Sequence, residues 1–218
     1  MRSRKRKNGE ARMEACGEII LPFDKENIEK VSLEELFPEK KSFRIEIGCG
    51  KGSFACGLTA QDGEINLIAM ERVPDVACLA LEKAVKCKET RPDNLRFIIG
   101  DAKNLPSYFP PRSLDRIYLN FSDPWPKSGH AKRRLTHRGF LEIYRNLLRE
   151  DGMLIFKTDN EGLFDFSLEE FEAFGATIIW QTRDLHASEQ NSDNVMTEYE
   201  KNFSEKGFSI CSAWVKFN

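Results

Sequence analysis

The chain has 218 residues, 40% of them hydrophobic, and a net charge of −2 at pH 7, which predicts one domain with a sizeable core. No apolar run approaches the roughly 20 residues of a membrane helix, and no apolar stretch follows the N-terminal charges, so we expect a cytoplasmic protein without membrane anchor or secretory signal. The six cysteines form no C-x-x-C pair and the three histidines lie apart from them, so neither a metal site nor a disulfide framework is indicated.

The first 30 residues are predicted to be a basic tail and leader, partly disordered, ahead of a single domain over residues 31–218. Residues 2–12 carry six Lys or Arg against Glu10 alone. A second basic stretch, residues 124–141, contains five Lys or Arg and no acidic residue. Two such stretches in an otherwise acidic chain would suit a polyanionic partner, because Lys and Arg neutralise phosphates. For the tail, a solvated arm is an equal alternative.

Short β-rich runs alternate with longer helical segments along the rest of the chain. The predicted strands cover residues 43–47, 65–70, 95–99, 115–121, 153–157, 176–180 and 208–217. The predicted helices cover residues 52–60, 74–88, 137–149 and 162–174. This alternation predicts the α/β class, with a seven-stranded, mostly parallel sheet that has helices on both faces. No helix is predicted between the last two strands, so the last strand is expected to be antiparallel.

Conspicuous polar residues follow the predicted strands at their carboxyl ends, where open α/β sheets bind ligands. The glycines after the first strand fit any nucleotide by themselves, but Glu46 ahead of them would repel a pyrophosphate and attract the cationic S-adenosylmethionine. Glu71 is placed to accept hydrogen bonds from ribose hydroxyls and Asp101 to receive the adenine amino group; three solvent-facing acids are the alternative. The predicted cofactor-binding residues are Glu46, Gly48, Gly50, Gly52, Glu71 and Asp101.

A loop rich in proline and aromatic residues follows the fourth predicted strand. It reads Asn120-Phe121-Ser122-Asp123-Pro124-Trp125-Pro126-Lys127. Such a loop is stiff enough to hold a base against a methyl group, although it could also be only a tight turn with a core tryptophan.

Several motifs together resemble the tRNA (guanine-N7)-methyltransferase family, over roughly residues 40–217. They are Glu46-Ile-Gly-Cys-Gly-Lys-Gly52, Leu119-Asn-Phe-Ser-Asp-Pro-Trp-Pro-Lys127, Lys132-Arg-Arg-Leu135, Phe156-Lys-Thr-Asp-Asn160 and Thr197-Glu-Tyr-Glu200. The resemblance implies a Rossmann-like class I methyltransferase fold, S-adenosylmethionine as cofactor and tRNA as partner. It implies methyl transfer to N7 of guanine 46 in the variable loop of tRNA, forming 7-methylguanosine.

The resemblance also implies roles for matching residues. Asp123 would be catalytic and bind cofactor. The implied substrate-binding residues are Lys127, Asp159, Thr197, Glu198, Tyr199 and Glu200. The implied RNA-binding residues are Gly129, His130, Lys132, Arg133 and Arg134. The N-terminal segment does not match the family well.

Chemistry at N7 constrains the site further. N7 has a free lone pair and needs no general base, so alignment alone can supply about 7–11 kcal/mol, and Asp123 would stabilise the positive charge that develops on the purine. A grip on O6 and N7 would block the reaction, so Asp159 and Glu200 are the candidates to read the Watson–Crick edge. Trp125 or Tyr199 could stack on the unstacked base or could be core aromatics.

The basic residues after the loop would contact phosphates, with Thr136 as a possible N-cap of the next helix. Replacing Arg133 and Arg134 by Ala is expected to raise KM for tRNA and flatten its salt dependence without affecting cofactor binding.

Two alternatives stay open at this point. A related methyltransferase acting on a protein or small molecule would keep the acidic cofactor residues but would not need the basic stretch. A non-catalytic RNA-binding subunit would not need those acids. Either a monomer or a homodimer fits the sequence.

Overall fold

The computed structural model describes residues 8–21, 32–86 and 93–217. The chain divides into two compact units, Met1–Pro110 and Pro111–Asn218. Two predicted features lie outside the described residues: the basic cluster at positions 2–7 and the helix end at residues 87–88. The predicted domain boundary at residue 30 also falls outside them and stays a prediction.

Unit 1 is built on three parallel strands in the order β3-β2-β1. The strands are β1 (Ser42–Ile47), β2 (Ile65–Glu71) and β3 (Leu95–Ile99). The α-helices are α1 (Gly9–Glu14), α2 (Leu33–Leu36), α3 (Ser53–Gln61), α4 (Pro74–Lys86) and α5 (Leu105–Tyr108). β2 is buried along its length up to its last residue, as expected for a central parallel strand covered on both faces.

The segment before β1 packs against the rest of unit 1. In α1, Arg12 donates two hydrogen bonds of 2.7 Å to the carboxylate of Glu82 in α4. Ile19 and Leu21 are buried, and the Leu21 amide donates to the Phe97 carbonyl of β3 at 2.9 Å. Residues 8–21, which the sequence assigns to the basic tail, therefore contribute to the core of this unit.

Unit 2 contains four strands in the order β4-β5-β7-β6. The strands are β4 (Leu114–Asn120), β5 (Leu148–Thr158), β6 (Thr177–Thr182) and β7 (Cys211–Lys216). The α-helices are α6 (Arg138–Leu147), α7 (Glu161–Phe174) and α8 (Glu198–Ser204). β4 and β5 are parallel, whereas β7 is antiparallel to both β5 and β6. The predicted α/β class, mostly parallel with an antiparallel last strand, is confirmed.

The predicted boundary between α6 and β5 is wrong. The sequence predicts a helix to residue 149 and a strand from 153, but α6 ends at Leu147 and β5 begins at Leu148. Leu148 pairs with Leu114, and the register then shifts so that Met153 pairs with Arg116. A Cβ at Gly152 would lie 2.8 Å from the Arg149 carbonyl. A bulge that only glycine fits therefore lets the strand start five residues earlier than expected.

The N-cap of α6 also differs from the prediction. His137, not Thr136, caps the helix, and its Nδ1 accepts from the Gly139 amide at 3.1 Å. Thr136 is fully buried and accepts a hydrogen bond from the Ser167 hydroxyl of α7 at 2.7 Å. Among the described residues, no helix has the length and apolar character needed to cross a membrane.

Candidate active site

Unit 1 brings its predicted cofactor residues to one edge. Glu46 is the penultimate residue of β1, Glu71 ends β2, and Asp101 follows β3 by two residues. Because these strands are parallel neighbours, the three carboxylates lie along the carboxyl edge of the unit. Glu46 is 2% exposed. Burial raises the pKa of the adjacent Cys49 thiol well above its ordinary value, and the charges of Glu46 and Glu71 raise it further.

The glycine loop after β1 uses its amide groups internally. The Gly48 and Cys49 amides both donate to the Met70 carbonyl, at 2.8 and 2.9 Å. The Gly50 amide donates to Glu71 Oε2 at 3.1 Å, and the Gly52 amide to the Cys49 carbonyl at 2.9 Å. A pyrophosphate site needs amides that point at the ligand. These four amides instead face acceptors of the chain itself, which disfavours an anionic cofactor.

Backbone geometry explains the glycines of this loop. Gly48, Gly50 and Gly52 have φ angles of 82°, 56° and 74°, in the left-handed region that side chains rarely adopt. A Cβ at Gly52 would also lie 2.9 Å from Ala80 Cβ in α4. A Cβ at Gly48 or Gly50 would meet no described heavy atom within 4 Å. Gly52 thus allows close helix packing, and the other two allow close approach of a ligand to the backbone.

Glu71 and Asp101 each already hold backbone amides. Glu71 Oε1 accepts from the Val73 amide at 2.9 Å, in addition to the bond from Gly50. Asp101 Oδ1 accepts from the Lys103 amide at 3.0 Å, and its Oδ2 lies 3.8 Å from an Arg72 guanidinium nitrogen. A carboxylate has about four acceptor positions, so both groups can organise the loops and still accept from a cofactor.

The loop after β4 has a strained backbone. Phe121 and Trp125 adopt φ angles of 54° and 42° although neither is glycine, and such strain persists only where surrounding contacts hold it. The Phe121 amide donates to the Lys157 carbonyl of β5 at 2.9 Å. Asp123, the predicted catalytic residue, lies between these two positions and is exposed.

Trp125 is packed between two basic side chains. The Arg133 guanidinium lies 4.9 Å from the Trp125 ring centroid, and the His130 ring meets the indole edge at 5.7 Å. Arg134 donates from Nε to the Pro124 carbonyl at 3.0 Å and from Nη2 to the Trp125 carbonyl at 3.1 Å. Trp125 is therefore part of the framework of the loop.

Asp159, directly after β5, is hydrogen-bonded to the predicted substrate segment. The Tyr199 hydroxyl donates to Asp159 Oδ2 at 3.2 Å. Burial, and then the Asp159 charge, raise the pKa of Tyr199 to about 12. The Tyr199 ring stacks on Phe203 at 4.2 Å and contacts Phe121 at 5.1 Å, yet the residue is 43% exposed. Unit 2 thus brings the strained loop, Asp159 and Tyr199 together.

Glu200 is fully buried in an internal network. Its Oε2 accepts from Lys157 Nζ at 2.7 Å and from the Thr197 amide at 3.3 Å. Its Oε1 accepts from Asn194 Nδ2 at 2.7 Å and lies 3.0 Å from His186 Nε2. The roughly four acceptor positions of the carboxylate are therefore occupied. Glu200 is thus held by groups of the chain itself, and its predicted substrate role stays a prediction.

The same network defines the start of α8. The Thr197 hydroxyl accepts from the Glu200 amide at 2.8 Å, and the Glu200 carboxylate accepts from the Thr197 amide, which makes a capping box. Glu198 is exposed in the first turn. Sequence reasoning missed Lys157 as a site residue, although a lysine inside an otherwise apolar strand is an available signal.

The predicted RNA-binding stretch forms a short 3-10 helix, Ser128–Arg133. Lys127, Gly129, Lys132 and Arg133 are exposed, whereas His130 and Arg134 are half-buried. The described ranges hold no group of three or more His, Cys, Asp or Glu side chains able to bind a metal ion.

Comparison with known proteins adds the family. A family model described as "Putative methyltransferase" matches residues 40–213. The chain is 46% identical over 186 residues to the tRNA (guanine-N(7)-)-methyltransferase of Staphylococcus epidermidis, with 85% of each chain covered. It is 43% identical to the protein of the same name from Mesoplasma florum, over 94% of this chain and 93% of that one.

A solved structure of an antibiotic-related methyltransferase resembles the chain with a TM-score of 0.61 at 17% identity, covering 86% of this chain and 96% of that chain. This likeness confirms the Rossmann-like class I methyltransferase fold. The family match confirms that the chain is a methyltransferase, which supports the predicted use of S-adenosylmethionine as methyl donor. The chain belongs to the tRNA (guanine-N(7)-)-methyltransferase family.

Proposed function

We propose that this enzyme transfers a methyl group from S-adenosylmethionine to N7 of guanine 46 in the variable loop of tRNA. The observation that carries the proposal is the 46% identity, over 85% of both chains, to a protein named for guanine-N7 methylation of tRNA. The substrate position and the roles of single residues are proposals that go beyond that name.

The cofactor would be held by unit 1. Gly48 and Gly50 leave room for close approach to the backbone, and the buried Glu46 supplies negative charge at the end of β1. S-adenosylmethionine carries sulfonium and ammonium charges and no phosphate, so this acidic site suits it better than it suits a dinucleotide with its negative phosphates. Glu71 and Asp101 would accept hydrogen bonds from the ribose hydroxyls and the adenine amino group. When bound, the cofactor supplies an electrophilic methyl group.

The protein's part in the chemistry would be alignment and charge stabilisation. Guanine N7 attacks through its own lone pair, so no side chain has to remove a proton first. Holding the reacting atoms in line can supply about 7–11 kcal/mol. Asp123, on the strained loop, would stabilise the positive charge that develops on the purine.

Guanine recognition would use Asp159 and Tyr199. N1-H and N2-H₂ on the Watson–Crick edge are donors that one carboxylate can accept together. The Asp159 carboxylate is half-buried and held by the Tyr199 hydroxyl, whereas the Glu200 acceptors are already used. We therefore assign base reading to Asp159 and give Glu200 the role of holding the segment that carries Tyr199. The exposed part of the Tyr199 ring would stack on the base.

Binding of tRNA would use the exposed basic residues after the loop. Lys127, Lys132 and Arg133 are exposed and would contact phosphates around the variable loop, with Gly129 and His130 in the same segment. A cytoplasmic location and a monomeric or homodimeric state remain expectations from the sequence.

Two tRNA transcripts that differ only at position 46 test the proposal. With radiolabelled S-adenosylmethionine, the guanine-46 transcript should accept methyl groups and the adenine-46 transcript should not. Equal labelling of both transcripts would overturn the assignment of position 46. Labelling of protein instead of RNA would overturn the tRNA substrate. An Asp159→Asn variant should raise KM for the guanine-46 transcript and leave the Kd of S-adenosylmethionine within about twofold of the parent value.

A further inference from the structure

The loop that carries Asp123 accepts two hydrogen bonds from the Arg134 side chain, which lies outside the loop in sequence. Phe121 and Trp125 lie in the left-handed region without being glycine. Such a conformation costs free energy and is kept only when surrounding contacts fix it. Asp123 lies between these two residues, so whatever fixes them also determines where its carboxylate points.

Arg134 has the geometry to fix this loop. Its guanidinium donates to two successive loop carbonyls, Pro124 at 3.0 Å and Trp125 at 3.1 Å. The same group lies 4.2 Å from the ring centroid of Phe166 in α7. A planar guanidinium can bridge two acceptors while stacking on an aromatic ring, which a lysine ammonium cannot do.

The backbone around Arg134 is also held on both sides. Its amide donates to the Ala131 carbonyl at 3.0 Å, and its carbonyl accepts from the His137 amide at 3.0 Å. The side chain is half-buried, unlike the exposed Arg133 and Lys132 next to it. A guanidinium oriented toward loop carbonyls and stacked on a helix is poorly placed to neutralise phosphates.

We propose that Arg134 is a positioning residue that fixes the Asp123 loop, and that Arg133 is the neighbouring arginine that binds RNA. This assignment rests on the proposed function, because Asp123 is taken as the group that serves methyl transfer. It separates two adjacent arginines that the sequence treats as one phosphate-binding pair.

Two variants with the same loss of charge distinguish the roles. Arg134→Met should lower kcat by about 10²-fold, the scale expected when a catalytic group is misplaced by roughly 1 Å, with KM for tRNA changed by less than about threefold. Arg133→Met should instead raise KM for tRNA and reduce the slope of log Kd against log salt concentration by about one. Arg134→Lys keeps the charge but should also lose kcat, because an ammonium lacks the planar fork that reaches both carbonyls while it stacks on Phe166.

The inference would be overturned if Arg134→Met raised KM and reduced the salt slope as Arg133→Met does, or if Arg134→Lys kept full kcat. If Arg134→Met fails to fold, Phe166→Leu removes the stacking surface while keeping the arginine, and should lower kcat in the same direction.

Hydrogen exchange of residues 121–127 gives a readout that does not depend on activity. The loop should exchange faster in Arg134→Met than in the parent or in Arg133→Met. If the parent methylated no tRNA but this difference were present, the proposed function would fail and the positioning role would stand. Unchanged exchange in Arg134→Met would refute the positioning role whatever the substrate.

Discussion

Replacing Lys157 by methionine removes the buried positive charge that pairs with Glu200. Lys157 is 3% exposed and Glu200 fully buried. The ammonium donates to Glu200 Oε2 at 2.7 Å, to Asn194 Oδ1 at 2.9 Å and to the Val195 carbonyl at 3.1 Å. Methionine fills a similar volume without donors, so the variant leaves a buried carboxylate without this charged partner.

Breaking one half of a buried ion pair costs about 3–5 kcal/mol. For a protein of about 150–250 residues, each kcal/mol corresponds to a Tm change of roughly 2–4 °C, so we expect Lys157→Met to lower Tm by about 6–20 °C. The segment that carries Asn194 and Tyr199 also loses an anchor. The affinity of the variant for tRNA should fall as well.

The pH dependence provides a second check. Burial by itself would raise the pKa of Glu200, but the Lys157 charge and hydrogen bonds from Lys157, Asn194 and His186 outweigh it, and the net pKa is lowered below 4.5. In the parent, this contribution is present above that value and is lost as pH falls through the lowered pKa. Without Lys157, burial should raise the pKa of Glu200, so the variant loses stability as pH rises from about 4.

Urea unfolding of the parent and of Lys157→Met at about pH 7 and about pH 4 measures both effects. The difference in unfolding free energy should be larger at about pH 7. The control is the Lys157→Met/Glu200→Gln double variant, which removes the uncompensated charge and should recover much of the loss. If Lys157→Met lowered the unfolding free energy by less than about 1 kcal/mol at both pH values, the buried-pair reasoning would be refuted.

Three further predictions concern the loops and helices. In urea unfolding, Gly52→Ala should lower the unfolding free energy by about 1–2 kcal/mol through its left-handed backbone and by about 1–3 kcal/mol through overpacking. The control is Gly63→Ala, whose Cβ would meet nothing within 4 Å and which should unfold like the parent. Equal losses in the two variants would contradict this. Glu71→Gln should weaken S-adenosylmethionine binding roughly 10- to 150-fold by calorimetry, the equivalent of about 1.5–3 kcal/mol for hydrogen bonds to a charged group, and unchanged affinity would argue against a cofactor role. The hydrogen bond from Arg138 is the main cause of the lowered pKa of Glu170, so this pair stabilises the fold above the ordinary carboxyl pKa, and the stabilisation is lost as pH falls. Arg138→Met should therefore lose less stability than the parent between about pH 6 and about pH 3. Parallel curves of unfolding free energy against pH for the two proteins would disprove this.

The fold was largely predictable because its signals are local. Alternating β-rich and helical runs located all seven strands that the described residues contain. The early start of β5 was not predictable, because it depends on Leu148 pairing with Leu114 across the chain. The short helix α8 carried a capping-box signal in Thr197 and Glu200 that is hidden when those residues are interpreted only as substrate ligands.

The sequence locates the candidate site residues at strand ends and in loops, but it does not predict the contacts of their side chains. Carboxylates at strand ends indicate ligand binding whatever each one does there. The Lys157 partner of Glu200 lies 43 residues away in sequence, and the burial of Glu200 cannot be read from the motif. Arg133 and Arg134 carry the same charge, and it is the structure that distinguishes them, through the hydrogen bonds from Arg134 to the loop carbonyls.

The atom that receives the methyl group tests the central claim most directly. Purified enzyme is incubated with unmodified tRNA and S-adenosylmethionine, and the RNA is then digested to nucleosides for mass spectrometry. A site that aligns guanine N7 without a general base should give 7-methylguanosine as the single methylated product. Formation of 1-methylguanosine or N2-methylguanosine, or of no methylated nucleoside at all, would contradict the account.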